Sequence, residues 1–317
     1  MNLQKICLLL LVLIFILSCQ QTKENNQAHQ KLSVIATIFP VYDFARHIGG
    51  DKIDLKMLLP PGTDAHHYEL RPEDIVKVTK ADIFLFTNFE LEQWAYRIIK
   101  AADKNTNMMA VETGNGAILM PLDDEVKKQV TYEEHDKVLS RFDPHIWLDL
   151  DNAQKMVDNI TEAFIQKDSR NSDYYKKNAH AYKLKLAALD QQYRKQLSGC
   201  RSKTILHAGH WAFAYLARKY NLQYIAASNV FADSEPSPHQ ILILIEQIKK
   251  GKVPYVYYEE MSNPRLARTI ARETGTGLLK LNNGHDLKKA DMEAGETFIS
   301  IMEKNLINLQ KGLKCPM

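Results

Sequence analysis

A chain of 317 residues with 45% hydrophobic and 25% charged side chains has the make-up of a folded protein with room for two domains of ordinary size, which excludes disorder as its main state. Its 41 Lys and Arg against 38 Asp and Glu leave a formal charge of +3, and no basic run is long enough for the stripe that a nucleic-acid surface requires. The most apolar stretch, Ile6 to Leu17, is twelve residues, short of the roughly 18 to 20 that span a bilayer as a helix. The body of the chain therefore reads as soluble.

That stretch follows Lys5 and ends in Ile16-Leu17-Ser18-Cys19, the charged start, apolar middle and small residue of an export signal over residues 1–18. Cys19, directly after the cut, resembles the acylated cysteine of bacterial lipoproteins, and residues 19–30 read as a polar, flexible tether. Of the four cysteines, Cys7 leaves with the signal and Cys19 carries lipid. Cys200 and Cys315 remain in an oxidising compartment, where a disulfide and two separate thiols both fit the spacing.

Apolar runs alternate with helical periodicity twice, the pattern of parallel-sheet α/β units. In the first half the expected strands are Ser33–Ile38, Ile53–Leu59, Asp82–Phe86 and Met108–Val111, with helices at Tyr42–His47, Pro72–Lys80 and Leu91–Ala102. In the second they are Thr204–His207, Gln223–Ala227, Tyr255–Tyr258 and Leu278–Leu281, with helices at His210–Tyr220, Pro238–Lys250, Pro264–Thr274 and Asp291–Leu313. Between them Tyr175, Ala179, Tyr182, Leu186, Leu189, Tyr193 and Leu197 repeat at helical spacing from Ser172 to Ser198 without Gly or Pro. Gly199 follows, where a left-handed residue suits a helix end. This is roughly 40 Å of stiff helix, read as a spine (172–199) joining an N-terminal lobe (31–171) to a C-terminal lobe (200–317). The fold expected is α/β, two similar lobes joined by one long rigid backbone helix. An acidic stretch, Ala117 to Arg141 with His135 inside it, shows no clear element and reads as a loop.

Four of the eleven histidines fall just after an expected strand or in a loop before a helix, where open α/β sheets bind ligands. His66 lies in Pro60-Pro61-Gly62-Thr63-Asp64-Ala65-His66-His67-Tyr68, and His145 in Asp143-Pro144-His145-Ile146-Trp147, ahead of a helix that Asp149 is placed to cap. His210 lies in His207-Ala208-Gly209-His210-Trp211, and His285 in Asn282-Asn283-Gly284-His285-Asp286. Separations of 79, 65 and 75 residues form no local zinc motif. Two lobes facing each other across their strand ends would nevertheless bring these rings to one point, and four neutral imidazoles suit tetrahedral Zn²⁺.

Pro61-Gly62-x-Asp64-x-His66-x-Tyr68-x-x-Arg71-Pro72-x-Asp74, Asp143-Pro144-His145-x-Trp147-Leu148 and Gly209-His210-x-Ala212-Phe213-x-Tyr215-Leu216-Ala217 resemble the zinc and manganese solute-binding lipoproteins of bacterial ABC importers. The resemblance covers the whole mature chain and implies a metal between two lobes and no enzymatic activity. It places ligands on His66, His145 and His210. The fourth position varies in that family; His285 is the residue expected to fill it, with Asp286 as the rival. His67 stands where that family often has an acidic residue and His207 has no ligand counterpart, so neither is expected to bind the metal. Few oxygen ligands and several imidazoles favour Zn²⁺ over Mn²⁺.

The implied role is capture of Zn²⁺ outside the cytoplasmic membrane by a monomeric, lipid-anchored receptor, and its delivery to an ABC permease with its ATPase. Affinity is expected to fall as pH drops through the histidine range near 6.5, and the stiff spine implies small movements of the lobes. A zinc hydrolase is the rival from another class, with His207-x-x-His210 on the metal and Glu259 or Glu260 as base. It lacks a His-Glu-x-x-His pattern, and a four-ligand site leaves no position for water.

Overall fold

The computed structural model describes residues 31–66, 68–102, 106–122, 141–228, 230, 236, 238–259, 264–285 and 287–316. The expected signal, the tether with Cys19, acidic residues 123–140 with His135, and His67, Glu260 and Asp286 lie outside the described residues. No helix among the described residues is long and apolar enough to cross a membrane.

Two parallel four-stranded sheets form the frame. The first holds β1 (Leu32–Ala36), β2 (Ile53–Met57), β3 (Ile83–Phe86) and β4 (Met109–Glu112) in the order β2-β1-β3-β4. The second holds β5 (Thr204–His207), β6 (Gln223–Ala226), β7 (Tyr255–Tyr258) and β8 (Gly277–Lys280) in the order β6-β5-β7-β8. Every residue of β3, Ile-Phe-Leu-Phe, is buried, as a strand covered on both faces must be. The edge strand β2 alternates, with Asp54 and Lys56 outward. In both sheets the chain fills one side of the first strand and then crosses to the other, which opens a crevice at the carboxyl ends of the strands.

Helices α1 (Phe39–Gly49), α2 (Pro72–Thr79) and α3 (Gln93–Ala101) belong to the first half. Next come α4 (Leu150–Lys167) and the 27-residue spine α5 (Ser172–Ser198). The second half adds α6 (Ala214–Lys219), α7 (Pro238–Gly251), α8 (Pro264–Thr274), α9 (Lys289–Glu293) and α10 (Phe298–Gly312). All seven apolar residues of the expected spine face are buried. Asp149 caps α4, its side chain accepting from the backbone N–H of Asp151 at 2.9 Å.

The spine is built into both halves. Asp43 of α1, fully buried, accepts from the Tyr182 hydroxyl on α5 at 3.1 Å and from the Phe298 N–H opening α10 at 3.0 Å. Lys219 of α6 reaches Asp149 at 2.9 Å and Asp190 on α5 at 3.6 Å. The main apolar core runs from Leu32 through the α5 face to Leu313, and a second cluster around Leu206, Leu244, Val256 and Ile270 fills the space beneath α7 and α8. The Cys200 and Cys315 sulfurs lie at bonding distance across 115 residues of chain.

Three local expectations change. The helix expected from His210 begins at Ala214, because the Tyr224 hydroxyl donates to His210 O at 3.0 Å and accepts from Ala212 N–H at 3.2 Å, meeting in the loop the backbone groups a helix would have paired. The helix expected over Asp291–Leu313 is broken: Gly295 has φ +82°, and Thr297 starts α10 afresh with a reciprocal cap to Ser300. Gly199 has φ −89°, not left-handed; the space beside it is taken by Pro316, whose Cγ lies 3.2 Å from where a Cβ would stand.

Candidate metal centre

All four expected histidines converge at the carboxyl ends of strands: His66 after β2, His145 beyond β4, His210 after β5 and His285 after β8. Their ring centroids are separated by 5.2 Å (His145–His210), 5.3 Å (His66–His145), 5.8 Å (His285 to each of the other three) and 6.0 Å (His66–His210). Four imidazoles bound tetrahedrally through one nitrogen each at roughly 2.0–2.1 Å would have centroids about 5.2 Å apart. The ring centroids thus stand within about 0.8 Å of that spacing. His145 Nε2 and His210 Nε2 are 3.3 Å apart, and two nitrogens so spaced subtend about 107° at an ion roughly 2.05 Å from each, near the tetrahedral angle.

One local device sets three of these histidines. Asp64 Oδ1 accepts from His66 N–H, Asp143 Oδ1 from His145 N–H and Asn283 Oδ1 from His285 N–H, each at 2.9 Å. An Asx side chain two residues ahead folds the backbone into a tight turn and aims the following ring. The loop around His210 is set differently. A Cβ on Gly209 would stand 2.6 Å from His207 Cε1 and 3.0 Å from Glu259 Oε2, so only glycine lets the strand end pass between that ring and that carboxylate.

Carboxylates orient two of the rings from behind. His145 Nδ1 donates to Asp143 Oδ1 at 2.9 Å, and His210 Nδ1 donates to Glu259 Oε2 at 2.6 Å. An ionised carboxylate only accepts, so Glu259 places the proton of His210 on Nδ1 and leaves its Nε2 lone pair for a cation, and Asp143 does the same for His145 when ionised, the usual outer partnership of a metal-bound histidine. Glu259 Oε1 also accepts from Asn283 Nδ2 at 2.7 Å, which links the His210 loop to the His285 turn. Burial alone would raise the Glu259 pKa, but His210 foremost, then its hydrogen bond and the neighbouring His207 and His285, hold it at about 2. Burial first, and then the adjacent rings, hold His66 and His145 well below 6.5. Both are therefore neutral at neutral pH, the form that binds metal. Asp143 is pushed by burial up to about 7, and a cation on His145 would draw it back to the ionised form.

The groups able to hold a cation fall into two sets that share His66. His66, His145 and His210 offer ligand atoms within 4.8 Å of one another, and so do Asp64, His66 and His285. His207 is in neither set among the described residues. Its Nδ1 faces His210 O and the Tyr224 hydroxyl, each at 3.2 Å, and burial lowers its pKa to about 4. Among the described residues His207 joins His210 in no group of three or more ligand atoms, and Glu259 is engaged as the partner of His210. Glu259, Asp143 and Asn283 were absent from the expected site. Their signals were present: an acid directly after the β7 run, and the thrice-repeated Asx-x-His.

Two parallel sheets, one spine and a histidine cluster between strand ends define a two-lobed solute-binding protein with a metal-type site. The chain belongs to the family described as "Zinc-uptake complex component A periplasmic", matching its model over residues 34–312. It is 35% identical over 310 residues to the zinc-binding lipoprotein AdcA of Streptococcus pneumoniae, covering 97% of this chain but 61% of that protein's length. It is 31% identical over 306 residues to the high-affinity zinc uptake system protein ZnuA of Bacillus subtilis, covering 95% of this chain and 94% of that one. The crystal structure of the Zn(II)-bound ZnuA-like domain of S. pneumoniae AdcA superposes with a TM-score of 0.75 at 32% identity, over 89% of this chain and 99% of that one.

Proposed function

We propose that this protein is the zinc-capturing component of a bacterial ABC importer, binding Zn²⁺ outside the cytoplasmic membrane and delivering it to a permease driven by its ATPase. The observation that carries this reading is the near-regular tetrahedron of His66, His145, His210 and His285, drawn from both halves of the chain at centroid separations of 5.2–6.0 Å. Nitrogen ligands favour zinc over manganese, which prefers more oxygen. Membership of the zinc-uptake family and similarity to proteins named for zinc binding support the same cargo. His285, set by the same Asx turn as two of the other ligands, is the fourth ligand in place of Asp286. The site binds and releases; with four protein ligands it keeps no open position for catalysis.

On this reading residues 1–18 are an export signal, Cys19 is the acylated anchor and 19–30 a tether. The lobes 31–171 and 200–317, joined by the spine 172–199, act as a monomer. Calorimetric titration of the metal-free protein at neutral pH should show one tight zinc site and much weaker manganese binding. A His66→Ala, His145→Ala double variant that binds zinc as tightly as the parent would reject the ligand assignment.

A further inference from the structure

The ligand sets overlap in a way that a single closed site does not need. His66 belongs to both, and Asp64 is partly exposed while His145, His210 and His285 are buried, as are both ring nitrogens of His66. We propose that Asp64, His66 and His285 form a relay site at the mouth of the centre, which holds the incoming or departing zinc ion before and after its stay in the four-histidine shell. This rests on the zinc-binding reading above and adds a second position for the same cargo.

Ligand exchange at zinc supplies the reason. An ion enclosed by four nitrogens cannot leave in one step without losing several bonds at once, whereas exchange one ligand at a time keeps it coordinated throughout. Because His66 belongs to both sets, and His285 completes the inner shell on the reading above, the ion moves by trading His145 and His210 for Asp64 and water. No other bond changes, and no net charge is transferred apart from that of the ion itself. Asp64 also brings the negative charge to the partly exposed side, where a hydrated cation arrives. Asp64 Oδ1 accepts from His66 N–H at 2.9 Å, which holds the carboxylate beside the ring with which it would share the ion. A site of two nitrogens and one carboxylate retains water, as a transient site must, and is weaker than the closed shell.

The decisive variants separate the two positions. Asp64→Asn keeps an oxygen for the His66 turn and removes the charge. In otherwise unchanged protein it should slow both zinc association and chelator-driven release by about tenfold in stopped-flow experiments, with a smaller change in Kd. His145→Ala, His210→Ala removes the inner pair and should still bind one equivalent of Zn²⁺ or Co²⁺ weakly, with a cobalt spectrum of mixed nitrogen and oxygen ligation. Adding Asp64→Asn to that protein should abolish the residual binding. Unchanged rates in Asp64→Asn overturn the relay even where the parent binds zinc tightly, and so does residual binding indifferent to Asp64. Should the double variant not fold, the rates of the single variant decide alone. Failure of the parent itself to bind zinc would instead sink the proposed function.

Discussion

Replacing Glu259 with Gln tests how much of the site's affinity resides behind the ligands. Glu259 is 5% exposed and uses both oxygens, one 2.6 Å from His210 Nδ1 and the other 2.7 Å from Asn283 Nδ2. A carboxamide has one acceptor oxygen for these two facing N–H groups, so one bond is replaced by a donor–donor contact. A hydrogen bond to a charged group contributes about 1.5–3 kcal/mol, which corresponds to a loss of zinc affinity of about 10- to 150-fold. That agrees with the roughly 10- to 100-fold loss typical of removing an outer partner of a metal-bound histidine. Burying an amide is easier than burying a carboxylate, so the metal-free fold should melt at or near the parent temperature. Competition with a calibrated zinc chelator at neutral pH measures the change. A Kd within about twofold of the parent, with the fold intact, would refute the claim that Glu259 sets His210 for the metal.

Glu92 is fully buried, and burial pushes it from 4.5 up to about 7 against hydrogen bonds from Thr37 and the Thr87 and Asn88 backbone. A raised folded-state pKa contributes stability that is present below about 4.5 and lost as pH rises toward 7, on the order of 3 kcal/mol. Urea unfolding of metal-free Glu92→Gln should therefore gain about that much on the parent between acid and mildly basic pH; parallel pH profiles would contradict it. Because burial and neighbouring rings hold His66 and His145 well below 6.5, zinc affinity should persist through that pH and fall only further into acid, later than ordinary histidines imply. Four imidazoles at 6.5 would lose about 200-fold between pH ~7.5 and ~6, and two about 14-fold, so titrations at the two values showing a loss of about 14-fold or less bear out the burial of His66 and His145 and a full loss refutes it. Cys200→Ser should remove up to about 5 kcal/mol of stability for a loop of 115 residues; peptide mapping of thiol-labelled parent should show no label on Cys200 or Cys315, and label on both would disprove the bridge.

Much of the frame was legible because its signals are local or periodic. The spine face from Tyr175 to Leu197 follows from spacings of three and four, and β3 and β7 from short apolar runs. The four histidines were identifiable by their place after strands, aided by motif resemblance. What escaped depends on contacts distant in sequence. The loop at 208–213 stays out of α6 because Tyr224, on β6, satisfies its backbone. The break before α10 turns on Gly295 adopting a positive φ inside an otherwise helical pattern. Glu259 meets His210 across 49 residues, a pairing that no spacing announces.

The most direct test of the centre is anomalous diffraction at the zinc edge from crystals of the zinc-loaded protein. One strong peak is predicted, roughly 2.0–2.1 Å from a ring nitrogen of each of His66, His145, His210 and His285. A peak bound elsewhere, or one that leaves His66 or His210 uncoordinated, would contradict a shell assembled from both halves of the chain.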